Sequence, residues 1–454
     1  MKKIDLTEGK VFNVLFSLAL PIMGGSFLQF SYNIIDMFWV GGLGSNAVAS
    51  VGSASFLIGL GYSINALVVT GTGIKTAQAI GEKDENRTNQ YINTGFLLNG
   101  IIGIVYALIM ILGSKYFISF LNLTNIAIQN DTFHYLMISA PTLFFAFYNI
   151  FYTRIFGSFG NNKEAFKISL VGIIINIILD PIFIYIFKFG VLGAGIATLI
   201  ANVVMFLLFI VRGKNVFKIQ LLSGVDLEKS RDIVRLGFPM AFQRVLFTFV
   251  NIILAKIIAK FGSDAIAAQK IGLQIESINY MIIGGLNGAI ASFSGQNFGA
   301  KKDRRIDEGY RIALLLGIIY TLVTAIIFIY TPEPLIRLFV SEENTVSIAS
   351  RYLQIIAISQ VFSAIEMVTN GLFMGIGLPR ISANVSIFYT ILRIPMAIIL
   401  IPYLGVNGIW WSISVSSILK GITLFLVYKL RIRKRYDNVR NTKGSIFTRR
   451  TLKG

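Results

Sequence analysis

Four carboxylic acids stand where carboxylic acids are costly. Asp36, Asp180, Glu276 and Glu366 each lie inside a long apolar stretch. An ionisable group held in such a stretch is expensive and is retained where it does chemistry. Asn176 precedes Asp180 by four residues, so on a helix the two share one face. The next apolar segment starts near Val191, which puts Thr198 two turns in, at a depth comparable with Asp180. The run Gly190-Val191-Leu192-Gly193-Ala194-Gly195 adds little bulk there. Asp36 lies in the outer half of its own segment. Two carboxylates, an amide oxygen and a hydroxyl at one level make an all-oxygen set that suits a hard cation such as Na⁺. The same acids suit a proton, because the chain's one histidine, His134, is expected near the end of a segment. The competing reading is that each Asp only caps a helix or pairs with a neighbour.

The elements that must position these groups follow from composition. The chain has 454 residues, 55% hydrophobic and only 14% charged, with a mean hydropathy of +0.71. That is too little polar surface for a soluble protein, whose charged fraction is about 25%, so lipid must cover much of the molecule. Cysteine is absent, which removes disulfides, thiolate metal sites and Cys nucleophiles. A lone histidine leaves no Ser-His-Asp triad. A membrane helix needs about 20 apolar residues. Polar and Gly/Pro punctuation gives twelve such spans, near 12–40, 46–76, 90–113, 131–157, 164–187, 191–211, 232–260, 265–296, 309–330, 345–373, 381–402 and 406–428. The first is too long for the apolar core of a leader peptide and is expected to remain as a helix.

The formal charge of +19 is uneven along the chain. The termini and the loops after even-numbered spans carry most of the basic residues, among them Lys2, Lys3, Lys83, Arg87, Lys214, Arg231, Lys301, Arg305 and the tail from Lys429. The opposite loops hold only Lys115, Lys188, Lys260 and Arg337. The positive-inside rule then puts both termini in the cytoplasm, and the expected location is a bacterial or archaeal cell membrane. The tail reads as an anchor on anionic headgroups and not as a nucleic-acid site.

The sequence also repeats itself. At an offset of 218 residues Pro21 meets Pro239, Asn33-Ile34-Ile35 meets Asn251-Ile252-Ile253, Gly44-Ser45 meets Gly262-Ser263, and Gln78 and Gly81 meet Gln296 and Gly299. Phe156 and Gly160 later meet Phe373 and Gly377. Each copy has six spans, an even number, so both enter from the same side. The expected fold is an all-α integral membrane protein, with twelve transmembrane helices in two six-helix lobes about a pseudo-twofold axis along the membrane normal. The lobes are 1–211 and 232–428, with a cytoplasmic linker at 212–231 and a basic tail at 429–454. Such parallel repeats are built into secondary transporters, with the substrate site between the halves.

The second copy differs in kind. Leu254 replaces Asp36, and the polar residues there are Gln243, Arg244, Lys256, Glu276 and Arg393. Together with Tyr32 and Asn33, the residues Gln243, Lys256, Glu276 and Arg393 are candidates for a substrate cavity. Lys256 could instead snorkel to the interface, and Arg393 is expected to pair with Glu276 or Glu366, or to face a cavity. Pro21 and Pro239 each remove a backbone donor and are hinge candidates, the alternative being a static kink. The glycines of Gln78-x-x-Gly81 and Gln296-Asn297-Phe298-Gly299 are expected to terminate helices. No Walker lysine follows them, so ATP is not the expected energy source.

These residues resemble the multidrug and toxic compound extrusion (MATE) family. The resemblance is carried by Leu20-Pro21, Tyr32-Asn33-Ile34-Ile35-Asp36 and Phe38-Trp39-Val40-Gly41, by Gly295-Gln296-Asn297-Phe298-Gly299-Ala300, and by Leu392-Arg393-Ile394-Pro395. It covers nearly the whole chain and leans toward the branch related to DNA-damage-inducible F (DinF) transporters. It implies export of drugs or toxic organic compounds by H⁺ or Na⁺ antiport, without a cofactor and without enzymatic chemistry. It also implies a first-lobe cation site at Asp36, Asn176, Asp180 and Thr198, with Ala194 as a backbone contributor. Expected partners are amphipathic organic substrates and membrane lipids, with no nucleic acid, and a monomer. The alternative is a flippase for lipids or lipid-linked oligosaccharides. A membrane enzyme or receptor is the reading from another class, and no nucleophile–base pair supports it.

Overall fold

In lipid every backbone amide must be satisfied internally, so apolar runs of this length cross as helices. The computed structural model describes residues 5–121, 123, 125–214, 216–217 and 226–433. Tail residues 434–454 and linker residues 218–225 lie outside the described residues. Among the described residues twelve long helices follow one another: α1 Val11–Gly41, α2 Ser45–Gly81, α3 Glu85–Phe120, α4 Ile126–Ser158, α5 Asn162–Pro181, α6 Gly190–Gly213, α7 Leu227–Ile258, α8 Ser263–Gly299, α9 Asp303–Tyr330, α10 Glu343–Gly375, α11 Pro379–Leu404 and α12 Asn407–Val427. A single turn, Pro332–Ile336, precedes α10, and a π-helical stretch, Ile182–Ile186, continues α5. No strand occurs among the described residues.

Eleven of these helices are long and apolar enough to cross a membrane. The twelfth, α8, is as long as its repeat partner α2, at 37 residues. Its first half carries Asp264, Lys270 and Glu276, which lower its apolar content. Large apolar side chains such as Phe38, Leu112, Ile326 and Phe388 are exposed. On a soluble protein they would be an aggregation hazard; on a membrane protein they form the surface that lipid wets.

The duplication is written into the backbone. Gly44 and Gly262 open α2 and α8 with φ of 101° and 98°. Gly160 and Gly377 follow α4 and α10 with φ of 77° and 79°. After α2 and α8 the left-handed position falls not on the expected glycines, Gly81 and Gly299, but on Lys83 and Lys301, with φ of 59° and 58°. Each lysine sits in a Schellman motif, with the amide of Asp84 on the Ala79 carbonyl and that of Lys302 on the Asn297 carbonyl. The closing hydrogen bonds offset a conformation that a Cβ disfavours.

The chain divides into two compact units. The first is built on Leu20–Ala241, and the second joins Leu6–Ala19 to the chain from Phe242 onward. In the first unit aromatic side chains of α4 and α6 interlock, with Tyr152 stacked on Phe209 at 5.6 Å. The opening of α7 also belongs here: Asp232 pairs with Lys75 at 2.9 Å and accepts from the Tyr91 hydroxyl at 2.8 Å. In the second unit Tyr352 of α10 meets Trp410 of α12 edge-on at 5.0 Å. There Gln296 and Asn297, buried in the last turns of α8, hold the segment before α1. The Leu6 amide donates to Gln296 Oε1 at 3.0 Å, and Asn297 Nδ2 donates to the Leu6 carbonyl at 3.2 Å. The boundary between units falls within α1 between Ala19 and Leu20, beside Pro21, and within α7 between Ala241 and Phe242, just after Pro239.

Candidate functional site

The first set lies wholly within the first unit. Asn176 and Asp180 sit one turn apart on α5, and Asn176 Nδ2 donates to Asp180 Oδ1 at 3.1 Å. Both are buried, Asp180 completely. The other oxygen, Asp180 Oδ2, is buried with no hydrogen-bond partner among the described residues. Asp36 on α1 repeats the pattern, with Oδ1 buried and unpartnered. Asp36 and Asp180 are within electrostatic range of one another. On α6 the Thr198 hydroxyl donates to the Ala194 carbonyl at 2.9 Å. That uses its single proton, so the Tyr32 hydroxyl at 3.3 Å is the donor to Thr198. Asn202 Nδ2 donates to the Thr198 carbonyl at 2.9 Å and receives Asn149 Nδ2 on its own side chain at 3.1 Å.

Local sequence explains why these groups converge. Pro181 has no N–H for the Ile177 carbonyl, which breaks the α-helical ladder one residue after Asp180. The chain continues as the π-helical turn Ile182–Ile186, closed by the Phe187 amide on the Ile182 carbonyl at 2.9 Å. Such turns recur at functional positions in helices. Tyr185 on this turn donates to the Trp39 carbonyl of α1 at 2.6 Å, tying the Asp36 helix to the Asp180 helix. Gly193 allows the close approach of α6: a Cβ there would come 2.6 Å from the Phe183 carbonyl oxygen.

Two orphan carboxylate oxygens in buried surroundings, with neutral oxygens beside them, fit a single small cation or a proton. Among the described residues no group of three His, Cys, Asp or Glu could hold a more demanding metal.

The substrate-cavity candidates fall in both units, Tyr32 and Asn33 in the first and Gln243, Lys256, Glu276 and Arg393 in the second. Tyr32 joins the first set through Thr198. Asn33 is exposed and accepts from Gln29 Nε2 at 3.2 Å. Gln243 is half-buried, with Oε1 unpartnered. Lys256 is exposed. Glu276 is buried and satisfied by three donors: Tyr280 Oη at 2.9 Å, Tyr352 Oη at 3.0 Å and Gln360 Nε2 at 3.1 Å. Behind it, Asn279 bonds Gln360 at 3.4 Å and receives Tyr320 at 2.9 Å.

Arg393 makes no direct ion pair with Glu276 or Glu366 among the described residues, which leaves the other expectation, that it faces a cavity. Arg393 instead donates from Nε to Ser416 Oγ at 2.7 Å and from a terminal nitrogen to Ser417 Oγ at 3.2 Å. Lys420 Nζ lies 3.9 Å from Glu366 Oε1. Sequence reasoning passed over Lys420, although its signal, a lone base inside an apolar span, was present.

Comparison with known proteins agrees with this architecture. The MatE family model matches the chain twice, over residues 21–182 and 239–399, the two copies of the repeat. The multidrug export protein MepA of Staphylococcus aureus (strain MSSA476) is 26% identical over 455 residues, covering 96% of this chain and 98% of its own. The probable multidrug resistance protein YpnP of Bacillus subtilis (strain 168) is 27% identical over 440 residues, covering 94% and 97%. A solved structure described as the outward-facing conformation of a multidrug resistance MATE family transporter of the MOP superfamily is 25% identical. It superposes with a TM-score of 0.88 over 96% of this chain and 98% of its own. With the family model covering both repeats, and the fold and length shared throughout, the chain belongs to the MatE family of multi-pass membrane transporters.

Proposed function

We propose that this transporter exports amphipathic organic compounds by antiport with H⁺ or Na⁺. The observation that carries the reading is the pair of buried oxygens on Asp36 and Asp180 that are unpartnered among the described residues, where no basic side chain is hydrogen-bonded to either. An unpaired buried carboxylate is costly, and a cation or proton removes that cost. The cation is held by Asp36, Asn176, Asp180 and Thr198, with the second lone pair of the Ala194 carbonyl available to it. The assignment follows the DinF-like resemblance; the multidrug names of MepA and YpnP support organic cargo.

The lobes 1–211 and 232–428, joined by the linker 212–231, alternate access. Cation and cargo bind the two states with different affinity, which is what couples them. Pro21 and Pro239 are the hinges, and the fall of both unit boundaries beside them supports that role. The protein works as a monomer in the cell membrane among its lipids, with both termini in the cytoplasm. The flippase alternative gains no support from the relatives. The test is Asp36→Asn in cells and in proteoliposomes, with Na⁺ and pH gradients imposed separately. Expected is normal membrane insertion with gradient-driven efflux abolished; normal efflux would refute the coupling role.

A further inference from the structure

The second unit holds a charged set that the coupling mechanism does not use. Glu366 on α10, Arg393 on α11 and Lys420 on α12 converge from three helices. Arg393 and Lys420 are 6% and 4% exposed. Lys420 lies one turn beyond Ser416 and Ser417, the hydroxyls that bind Arg393, so both cations line one face of α12. Ser386, two turns before Arg393 on α11, donates to Glu366 Oε1 at 2.7 Å.

The pairing within this set is incomplete. Lys420 Nζ and Glu366 Oε1 are 3.9 Å apart, beyond hydrogen-bond reach, and Lys420 makes no hydrogen bond among the described residues. Arg393 has five N–H donors and commits two nitrogens to serine hydroxyls. Its guanidinium lies 5.7 Å from the centre of the Phe247 ring, which is itself exposed. A cluster that only held helices together would close its ion pairs, because open ones are costly when buried. Here donor capacity on two buried cations stays open, beside a carboxylate whose Oε2 accepts nothing among the described residues.

Charge balance narrows the ligand. Arg393 lies within electrostatic range of both Glu276 and Glu366, and Lys420 within range of Glu366 and Arg393. With each group in its charged form, the two acids balance the two bases. A monoanion bound there would make it negative and a monocation positive, each at a cost in low dielectric. A ligand carrying both a cationic nitrogen and a carboxylate fills both ends and keeps it neutral. We propose that Arg393, Lys420 and Glu366 form a subsite for zwitterions, the ligand carboxylate between Arg393 and Lys420 and its cationic nitrogen on Glu366. The proposal rests on the export function above and names the chemical class of compound it accepts.

The test is equilibrium binding to the full chain in detergent, read by fluorescence anisotropy with three dyes of one scaffold. Rhodamine B is the zwitterion, its ethyl ester the cation, and fluorescein the anion. The zwitterion should bind about tenfold tighter than the ester, the worth of one charge-assisted bidentate contact. Arg393→Gln and Lys420→Met should erase that preference. The double variant Glu366→Gln/Lys420→Met removes the pair without adding net charge, so it tests the same point in a chain whose fold is checked by thermal unfolding. Equal binding of dye and ester by the native chain, or an unchanged preference in the folded variants, would overturn the proposal. A zwitterionic phospholipid carries the same two charges. Displacement of the dye by added phosphatidylcholine would assign the subsite to lipid headgroups, and its absence to exported compounds; either outcome keeps the zwitterion assignment. Dye transport in proteoliposomes is a separate readout: preferential binding without gradient-driven transport would refute export and leave the subsite standing.

Discussion

Replacing Asp180 by Asn separates the charge of the first set from its shape. The amide is isosteric, and its oxygen can still accept from Asn176 Nδ2, the one hydrogen bond Asp180 makes within the set, at 3.1 Å. That hydrogen bond, worth about 1 kcal/mol, is therefore kept. What is lost is a full negative charge on a completely buried side chain with one unpartnered oxygen. For a cation about 4 Å away at an effective dielectric near 20, that charge is worth about 4 kcal/mol, or roughly a thousandfold in Kd. The unliganded protein gains from the same change, because an uncompensated buried carboxylate costs several kcal/mol. Asp180→Asn should thus leave the unfolding temperature unchanged or raised, while the cation-dependent rise in that temperature disappears. The assay is thermal unfolding of purified protein across a Na⁺ series and, separately, a pH series. A variant that keeps cation-dependent stabilisation within about threefold of the native midpoint would refute the role of the Asp180 charge, whose loss should remove nearly all of that affinity.

Three further outcomes are expected. Pro181→Ala restores the backbone donor to the Ile177 carbonyl, removes the cause of the π-helical turn and re-aims Asp180; cation affinity should fall by about tenfold with little change in stability, measured in the same unfolding series. Gly193→Val puts a branched side chain against the Phe183 carbonyl, where even a Cβ would stand at 2.6 Å; a loss of about 2 kcal/mol or more is expected from overpacking, read as a lower unfolding temperature. Glu276→Gln sets an amide among three donors, leaving at least one unsatisfied; it should cost about 2 kcal/mol in stability while cation binding stays native.

Much of the fold is legible in sequence because lipid imposes one rule on every span. Runs of apolar residues must be helices, so the lengths, the punctuation by Gly44, Gly160, Gly262 and Gly377, and the 218-residue repeat are read directly. The candidates for the all-oxygen set stand out for a similar reason: charges inside such runs are conspicuous, and the spacing of Asn176 and Asp180 fixes their shared face. Lys83 and Lys301 were not legible, since a left-handed lysine is held only by the Schellman hydrogen bonds around it. Nor were the roles of Gln296 and Asn297, whose partners lie far away in sequence at Leu6.

Sequence by itself therefore determined the number and order of the helices, the duplication, and which polar residues are enclosed by apolar neighbours. Tertiary structure decided which of those residues meet. It put Tyr32 on Thr198, surrounded Glu276 with Tyr280, Tyr352 and Gln360, and gave Arg393 two serine hydroxyls as partners. It also assigned the first turns of α7 to the first unit and Leu6–Ala19 to the second. The physical reason is periodicity. Spacing along a helix fixes a side chain's face, but its partner is set by which helix packs against that face and at what height, and that depends on side chains hundreds of residues away.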